Sequence, residues 1–555
     1  MKTIAQTVTR SLVACALVWS LPAHAAEMDA AIKSGNFGGY LDEATASLKS
    51  KAAGKTDEAA LGALLKDPAF AKTLDQRQLI SKVGADKLGA FAKADPANQA
   101  FLSWLLNSTE AMDQYLEAHV PIHLGAREEN KYAISAGPLE LLKKLVAADP
   151  DAKTGIPMKI AIATAIRPPG SGGPGAGQAV KQSEPLVRYQ YFKAAQKNKE
   201  LFPSFDTLTA WDMQYVVSSG AAEEDLTWGR QMINTWRPDL RVNELVVNST
   251  SEVWRRNSPI DFAASYKNVL TGGGKCGPRS SWSVFICQAF GIPAIGVGQP
   301  AHACVAYKTA YPMTEPQPGF SWKVGYGRGW PVSKLEGMGG VDFIVGVQER
   351  EHRAEFSKVE HLRWLAAAVG GSDQTALMAV AHKIQEASKD AKTDLTASHN
   401  AAEADAELKP DAAKGAVTAE AKGPVKIAAA GATIEATAFS SMLAVNVVKS
   451  FTGGKQVNFG KSIDNSWLEY NIEVPAEGTY VLQLKAAAPN DGQFFNVIAG
   501  ADAPPVNLPV PNTHGLWGLT PAVEIKLQKG VQTLKIAAPN QRAVAVEHLE
   551  LKAKG

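Results

Sequence analysis

Residues 272–307 read GGGKCGPRSSWSVFICQAFGIPAIGVGQPAHACVAY, with a cysteine directly after three glycines and the lysine, and a histidine twenty-six residues beyond that cysteine. Trp282, Val284, Phe285, Ala289 and Phe290 fit a helical stripe, and Gly291 followed by Pro293 supplies its stop. The spacing therefore predicts a helix of about four turns headed by Cys276. Unpaired N–H groups and the helix dipole at such an end favour a thiolate over a thiol. Past IPAIGVG, His302, Cys304 and Ala306 alternate with Ala303, Val305 and Tyr307 in the period of a strand, so His302 and Cys304 share one face. A helix carrying the cysteine, packed on a sheet carrying the histidine, lets the imidazole take the thiol proton and later return it to a leaving group. Cys276 and His302 are the candidate nucleophile and base, and this chemistry needs no catalytic cofactor.

Each residue also has a structural reading. Once a leader is removed the chain keeps three cysteines, Cys276, Cys287 and Cys304, and in an exported protein these serve in disulfides as well as in catalysis. Cys287 lies eleven residues, about three turns, after Cys276, and Cys304 is on the histidine strand. A Cys287–Cys304 disulfide joining helix to sheet is thus one expectation, with Cys276 left as the free thiol. No CxxC or HxxxH spacing marks a Cys-His metal site. Lys275 reads as a solvated turn residue or as a charge that lowers the thiol pKa.

The glycine-flanked cysteine of Gly274-Lys275-Cys276-Gly277, its aromatic helix, the Gly291-Ile292-Pro293-Ala294 turn and the histidine strand 302–307 together resemble the transglutaminase-like (papain-like) α+β core, and within it the peptide:N-glycanase branch. In that superfamily the cysteine is the nucleophile, the histidine its base, and an aspartate on the following strand orients the histidine. Here the following strand-like segment, SWKVGYGRGWPV at 321–332, has Gly325 or Tyr326 where the resemblance puts the acid. Asp342, at the head of the apolar run DFIVGV, is the candidate for the third role, against a plain strand-end or turn reading. The zinc-binding cysteine pairs of many peptide:N-glycanases are absent from this sequence.

The rest of the chain bounds this reading. The first 25 residues, MKTIAQTVTRSLVACALVWSLPAHA, have the basic start, apolar run and small-residue end of a secretory signal, which predicts a secreted or periplasmic protein. No later stretch has about 20 consecutive apolar residues, so no membrane span is expected. The formal net charge of +2 argues against a nucleic-acid partner. Residues 26–125 read as a helical domain and 126–365 as the core, interrupted by the glycine- and proline-rich PPGSGGPGAGQ at 168–178. The segment 205–236 reads as two helices whose Trp211, Trp228 and Trp236 pack internally. Residues 366–427 read as a helix and a flexible linker, small, charged and aromatic-free from 396 on.

From 428 to 555 the pattern changes to short alternating strands between Gly, Pro and Asn turns, the signature of a β-sandwich, which makes the whole a multidomain α+β chain. The runs SWLEYNIEVPAEGTYVLQLKAAA at 466 and VPNTHGLWGLTPAVEIKLQKGVQTLKI at 510 resemble a family 6 carbohydrate-binding module, a jelly roll. The resemblance implies that Trp517 stacks on sugar, that Asn540 supplies a polar contact, and that Glu435 and Glu547 hold a structural calcium ion. The implied partner is a polysaccharide or glycoconjugate. Combined with Cys276, this predicts a thioester enzyme acting on an amide of a glycoconjugate or cell-wall substrate, by hydrolysis or by acyl transfer. Two rivals stand beside it. One is a polysaccharide lyase on the same fold, with His302, one of Tyr307, Tyr311 or Tyr326, and Arg328 moving protons. The other is a glycan-binding protein without catalysis.

Overall fold

The computed structural model describes residues 23–171, 183–253, 265–308, 322–388, 417–418, 423–461, 466–501, 503–539 and 542–554. The leader up to residue 22, most of the 168–178 loop and most of the linker from 396 lie outside the described residues. The first half is helical because its sequence punctuates helices well. Asn36, Asp57, Asp67, Asp95 and Ser108 each cap a helix by accepting a main-chain N–H of its first turn. Pro68 and Pro96 occupy first-turn positions where their missing N–H costs nothing. Phe37, Tyr40, Ala44 and Leu48 then form one buried stripe at helical spacing.

The core crosses the expected boundary at residue 125. A single apolar cluster runs from Met28 to Ile384, so the helical region and the Cys276 region are one packed body. Arg127 is buried at that junction and pairs with Glu349 at 2.5 Å and Glu360 at 2.8 Å. The helix Gly371–Ser388 belongs to this body, burying Leu377, Ala381 and Ile384. The paired helices Ala210–Val217 and Glu223–Trp236 are present, and Trp211, Trp228 and Trp236 are buried.

Five strands make the central sheet: β1 (Ala294–Gln299), β2 (His302–Lys308), β3 (Trp322–Gly325), β4 (Lys334–Leu335) and β5 (Met338–Gly339). They lie in the order β3-β2-β1-β4-β5, all antiparallel. The helix Cys276–Ala289 begins at the cysteine, as its glycine leader and apolar stripe predict. It packs on the sheet: near its start Ser280 Oγ donates to the Cys304 carbonyl, and near its end Gln288 Nε2 donates to the Ala294 carbonyl. Gly291, at φ +82°, makes the stop, and a Cβ there would sit 2.9 Å from the Phe205 ring.

Among the described residues the C-terminal part is a sandwich of two seven-stranded sheets. One centres on the antiparallel pair Gly478–Ala487 and Arg542–Ala553, the other on Ser466–Val474 and Gly530–Ala538. Alternate residues point inward, and Phe459, Leu468, Tyr470, Leu482, Phe495 and Leu551 fill the space between the sheets.

Candidate functional site

Cys276 is the first residue of its helix, partly exposed, with Lys275 at the cap position. His302 opens β2, two residues from Cys304 and on the same face of the strand. The Cys276 and Cys304 thiols are near enough to act on each other electrostatically. Cysteine helix and histidine strand therefore meet at the helix start, where Ser280 bonds Cys304.

The contact that orients His302 is a main-chain one. His302 Nε2 lies 2.7 Å from the Tyr326 carbonyl oxygen. A carbonyl only accepts, so Nε2 carries the proton and Nδ1 of the neutral ring keeps its lone pair. Tyr326 holds a left-handed φ of +58°, a conformation that costs a non-glycine residue energy and that surrounding contacts must impose. Its hydroxyl donates to the Val247 carbonyl at 3.3 Å, and the Arg279 guanidinium lies 6.0 Å from its ring centroid. Arg279 stands three residues after Cys276, so the cysteine helix itself braces the tyrosine.

Gln299 pins the rest of the loop. Its Oε1 accepts the Arg328 N–H at 3.0 Å, while Nε2 donates to the Gly329 carbonyl at 3.2 Å and Ser333 Oγ at 2.9 Å. Gly327 passes over this arrangement at a separation that excludes any side chain. A Cβ there would lie 2.6 Å from Cys304 Sγ, 2.8 Å from Val324 and 3.0 Å from Gln299 Nε2. Gln299 and Gly327 carry no catalytic chemistry that marks them, and Tyr326, a proton-transfer candidate through its hydroxyl, contributes its main-chain carbonyl instead. The signal in the sequence is the alternation Gly325, Gly327, Gly329, which marks a backbone in close approach.

Asp342 stands elsewhere. The run DFIVGV forms the helix Gly340–Glu351, because Phe343, Ile344 and Val347 are spaced for a helix face, and Asp342 is exposed in its first turn. Among the described residues no hydrogen bond joins Asp342 to His302, and the Tyr326 carbonyl occupies the place assigned to the acid.

The Cys287–Cys304 disulfide does not form; the three cysteines among the described residues are free thiols. Cys304 packs against the first turns of the helix, beside Ser280, whereas Cys287 sits in the last turn. Seven residues of helix, about 10 Å, separate Ser280 from Cys287. Burial pushes both buried thiols up, Cys304 to about 12.

The sandwich is docked on the same body. Trp228 Nε1 donates to the His514 carbonyl at 3.0 Å, Trp236 Nε1 donates to the Ala543 carbonyl, and Gln456 Nε2 donates to the Thr235 carbonyl at 2.9 Å. Gly515, at φ +76°, makes the approach possible, since a Cβ would fall 2.5 Å from Met232 Cγ. Trp517, assigned to sugar stacking, is half-buried and packs against the apolar cluster that joins the helical body to Ala487, Ala543 and Ala545 of the sandwich. The same loops touch the segment before the Cys276 helix: Asn512 Nδ2 donates to Thr271 Oγ1 at 3.1 Å, and that hydroxyl donates to the Pro489 carbonyl at 2.9 Å. Thr271 precedes Cys276 by five residues.

The residues assigned to calcium do not fit it. The Glu547 carboxylate is held by Lys485 Nζ at 2.7 Å and His548 Nδ1 at 3.2 Å, so an ammonium stands where a dication would have to bind. Glu435 is exposed at the end of the strand Ala432–Glu435, opposite His548. Asn540 lies outside the described residues.

No family model and no curated protein matches the chain. Solved structures similar to its C-terminal β-rich region are carbohydrate-binding modules. One is the C-terminal family 6 module of LamC, a marine laminarinase from Zobellia galactanivorans, at 22% identity over 22% of this chain and 98% of that one, with a TM-score of 0.20. A second is a module of Cellvibrio mixtus lichenase 5A in complex with cellotriose, at 23% identity over 22% of this chain and 98% of that one, TM-score 0.20. A family 35 module from Paenibacillus barcinonensis matches at 23% identity over 22% of this chain and 100% of that one, TM-score 0.20. No helix among the described residues is long and apolar enough to cross a membrane.

Proposed function

We propose that this chain is an exported cysteine enzyme that attacks an amide carbonyl of a glycoconjugate or cell-wall polymer through Cys276, with the docked sandwich holding the glycan. The observation that carries the reading is the 2.7 Å bond from His302 Nε2 to the Tyr326 carbonyl, because it leaves Nδ1 as the proton acceptor on the strand that meets the start of the Cys276 helix. In the first step His302 takes the thiol proton as Sγ adds to the carbonyl carbon. The developing oxyanion faces the unpaired N–H groups at the start of the cysteine helix. As the C–N bond breaks, the imidazolium returns its proton to the leaving amine, and a thioester remains. Water, deprotonated by the same imidazole, releases the acid and restores the thiol; an amine in place of water gives transfer instead. The Tyr326 carbonyl stabilises the imidazolium less than a carboxylate does, since it contributes a dipole and no full charge.

The glycan part of the proposal is supported by placement. The loops that hold Pro489 and Asn512 touch Thr271, so a saccharide held beside them is presented next to the nucleophile. The test is an acid quench of full-length protein with glycopeptide and peptidoglycan-fragment substrates, read by intact mass. An adduct on Cys276 of the mass of the acyl portion supports the reading, together with a loss of at least about 10³-fold in kcat/KM for Cys276→Ala. Products absorbing as unsaturated uronates, formed equally by Cys276→Ala, would replace it with a lyase.

A further inference from the structure

Three helices that carry none of the Cys276 site bring Asp75, Asp113 and His361 together. Asp75 is on Pro68–Val83, Asp113 on Thr109–His119 and His361 on Arg353–Val369. One ligand atom from each lies within 4.8 Å of the others, and this is the one group of three such side chains among the described residues. Asp75 is fully buried and His361 nearly so. Asp75 Oδ1 stands 2.9 Å from His361 Nε2, while Asp75 Oδ2 and Asp113 Oδ1 are buried without any hydrogen-bond partner. An unpaired carboxylate oxygen in a closed interior is expensive, and charges are kept there when they are paired or when they bind a cation.

The histidine is prepared in the manner of a metal ligand. His361 Nδ1 donates to the Ser357 carbonyl at 2.7 Å and Nε2 donates to Asp75 Oδ1 at 2.9 Å, so a cation that binds here takes the place of the Nε2 proton between the ring and the two carboxylates. Glu117, one turn beyond Asp113, acts electrostatically on Asp113 and is paired with Arg353 at 3.8 Å. We propose that Asp75, Asp113 and His361 bind a divalent transition-metal ion, with zinc as the probe, which clips together helices far apart in the sequence. Two carboxylates and one neutral imidazole supply the charge and the mixed oxygen and nitrogen donor set such an ion takes. The competing arrangement is a proton shared among the same groups, which needs no metal.

The experiment uses the full chain, stripped with chelator and titrated with zinc by calorimetry, in a Cys276→Ala background so that the exposed thiol does not compete. One equivalent bound is expected, with affinity reduced by more than about 10-fold in His361→Gln and in Asp113→Asn. X-ray absorption of the zinc-loaded protein reads the site independently of whether those variants fold: a shell of oxygen and nitrogen with one imidazole is expected. Absence of stoichiometric binding, sulfur in the first shell, or unchanged affinity in variants with a native far-UV spectrum overturns the proposal. A thermal midpoint insensitive to zinc but shifted by pH in the wild type, without any binding heat, assigns the cluster to the shared proton and overturns it equally.

Discussion

His302 donates its Nε2 hydrogen to the main-chain carbonyl of Tyr326 at 2.7 Å, so the tautomer of the ring is set by a backbone dipole held in a left-handed turn. A side-chain substitution cannot remove that carbonyl, but it can move it. Gly327→Ala puts a methyl 2.6 Å from Cys304 Sγ, and the loop that carries the carbonyl must shift. The expected cost is about 1–3 kcal/mol of stability. Hydrolysis should fall by more than that loss accounts for, and its pH profile should move, because His302 loses its orienting contact. An unchanged pH profile would show that Tyr326 does not position the base.

Thiol chemistry should single out one cysteine. Cys287 and Cys304 are buried and their thiols are pushed up by burial, whereas Cys276 is partly exposed at a helix start. Iodoacetamide on the native protein near pH 7, followed by peptide mass mapping, should modify Cys276 alone. Cys287 and Cys304 should react only after unfolding.

His119 predicts an acid-side loss of stability. Its Nδ1 donates to the Tyr115 carbonyl at 2.8 Å, its Nε2 is buried without a partner, and burial pushes its pKa down from 6.5 to about 4. Below about pH 6.5 the unfolded chain takes up a proton that the folded one refuses. Stability attributable to this ring is therefore present above pH 6.5 and declines as pH falls toward 4, by up to about 3 kcal/mol. Urea unfolding of the wild type and His119→Gln at pH 7.5 and 4.5 should show a smaller acid-induced loss in the variant.

Docking of the sandwich rests on Gly515 lying against Met232. Gly515→Val should detach the 511–517 loop, splitting thermal unfolding into two transitions as the sandwich and the helical body lose their common surface. KM for a glycan-bearing substrate should rise while alkylation of Cys276 by a small reagent stays as it was. A rise in KM for small substrates as well would mean that the damage has spread to the helix.

Buried charge makes Arg127 a further test. Its guanidinium lies between Glu349 and Glu360, both nearly inaccessible. Arg127→Ala leaves Glu349 buried without its cation, while Glu360 keeps Arg363 at 2.6 Å, and should cost about 3–5 kcal/mol in chemical denaturation. Restoring volume alone, with Arg127→Met, should recover little, because what is missing is charge.

Local pattern was enough to place the helix from Cys276, the strand from His302, the paired tryptophan helices and the alternating strands of the C-terminal sandwich. These follow from periodicity and from Gly and Pro punctuation, which act within a few residues of where they are read. Asp342 went astray for the same reason that DFIVGV did: an apolar run of that length fits a strand or a helix, and only packing of Phe343, Ile344 and Val347 decides. The disulfide assignment failed because sequence spacing places two cysteines on a face but does not say which end of the helix the strand crosses.

The sequence by itself determined that a helix starts at Cys276 and a strand at His302, and that strands follow a helical body. Tertiary structure decided the rest: that the Tyr326 carbonyl orients His302, that Trp517 packs against the cluster joining the sandwich to the helical body, and that Asp75, Asp113 and His361, up to 286 residues apart, share one buried spot. The reason is range. Periodicity and capping are properties of neighbouring residues, while a carbonyl's direction, a ring's neighbours and a converging set of ligands depend on how distant elements close on one another.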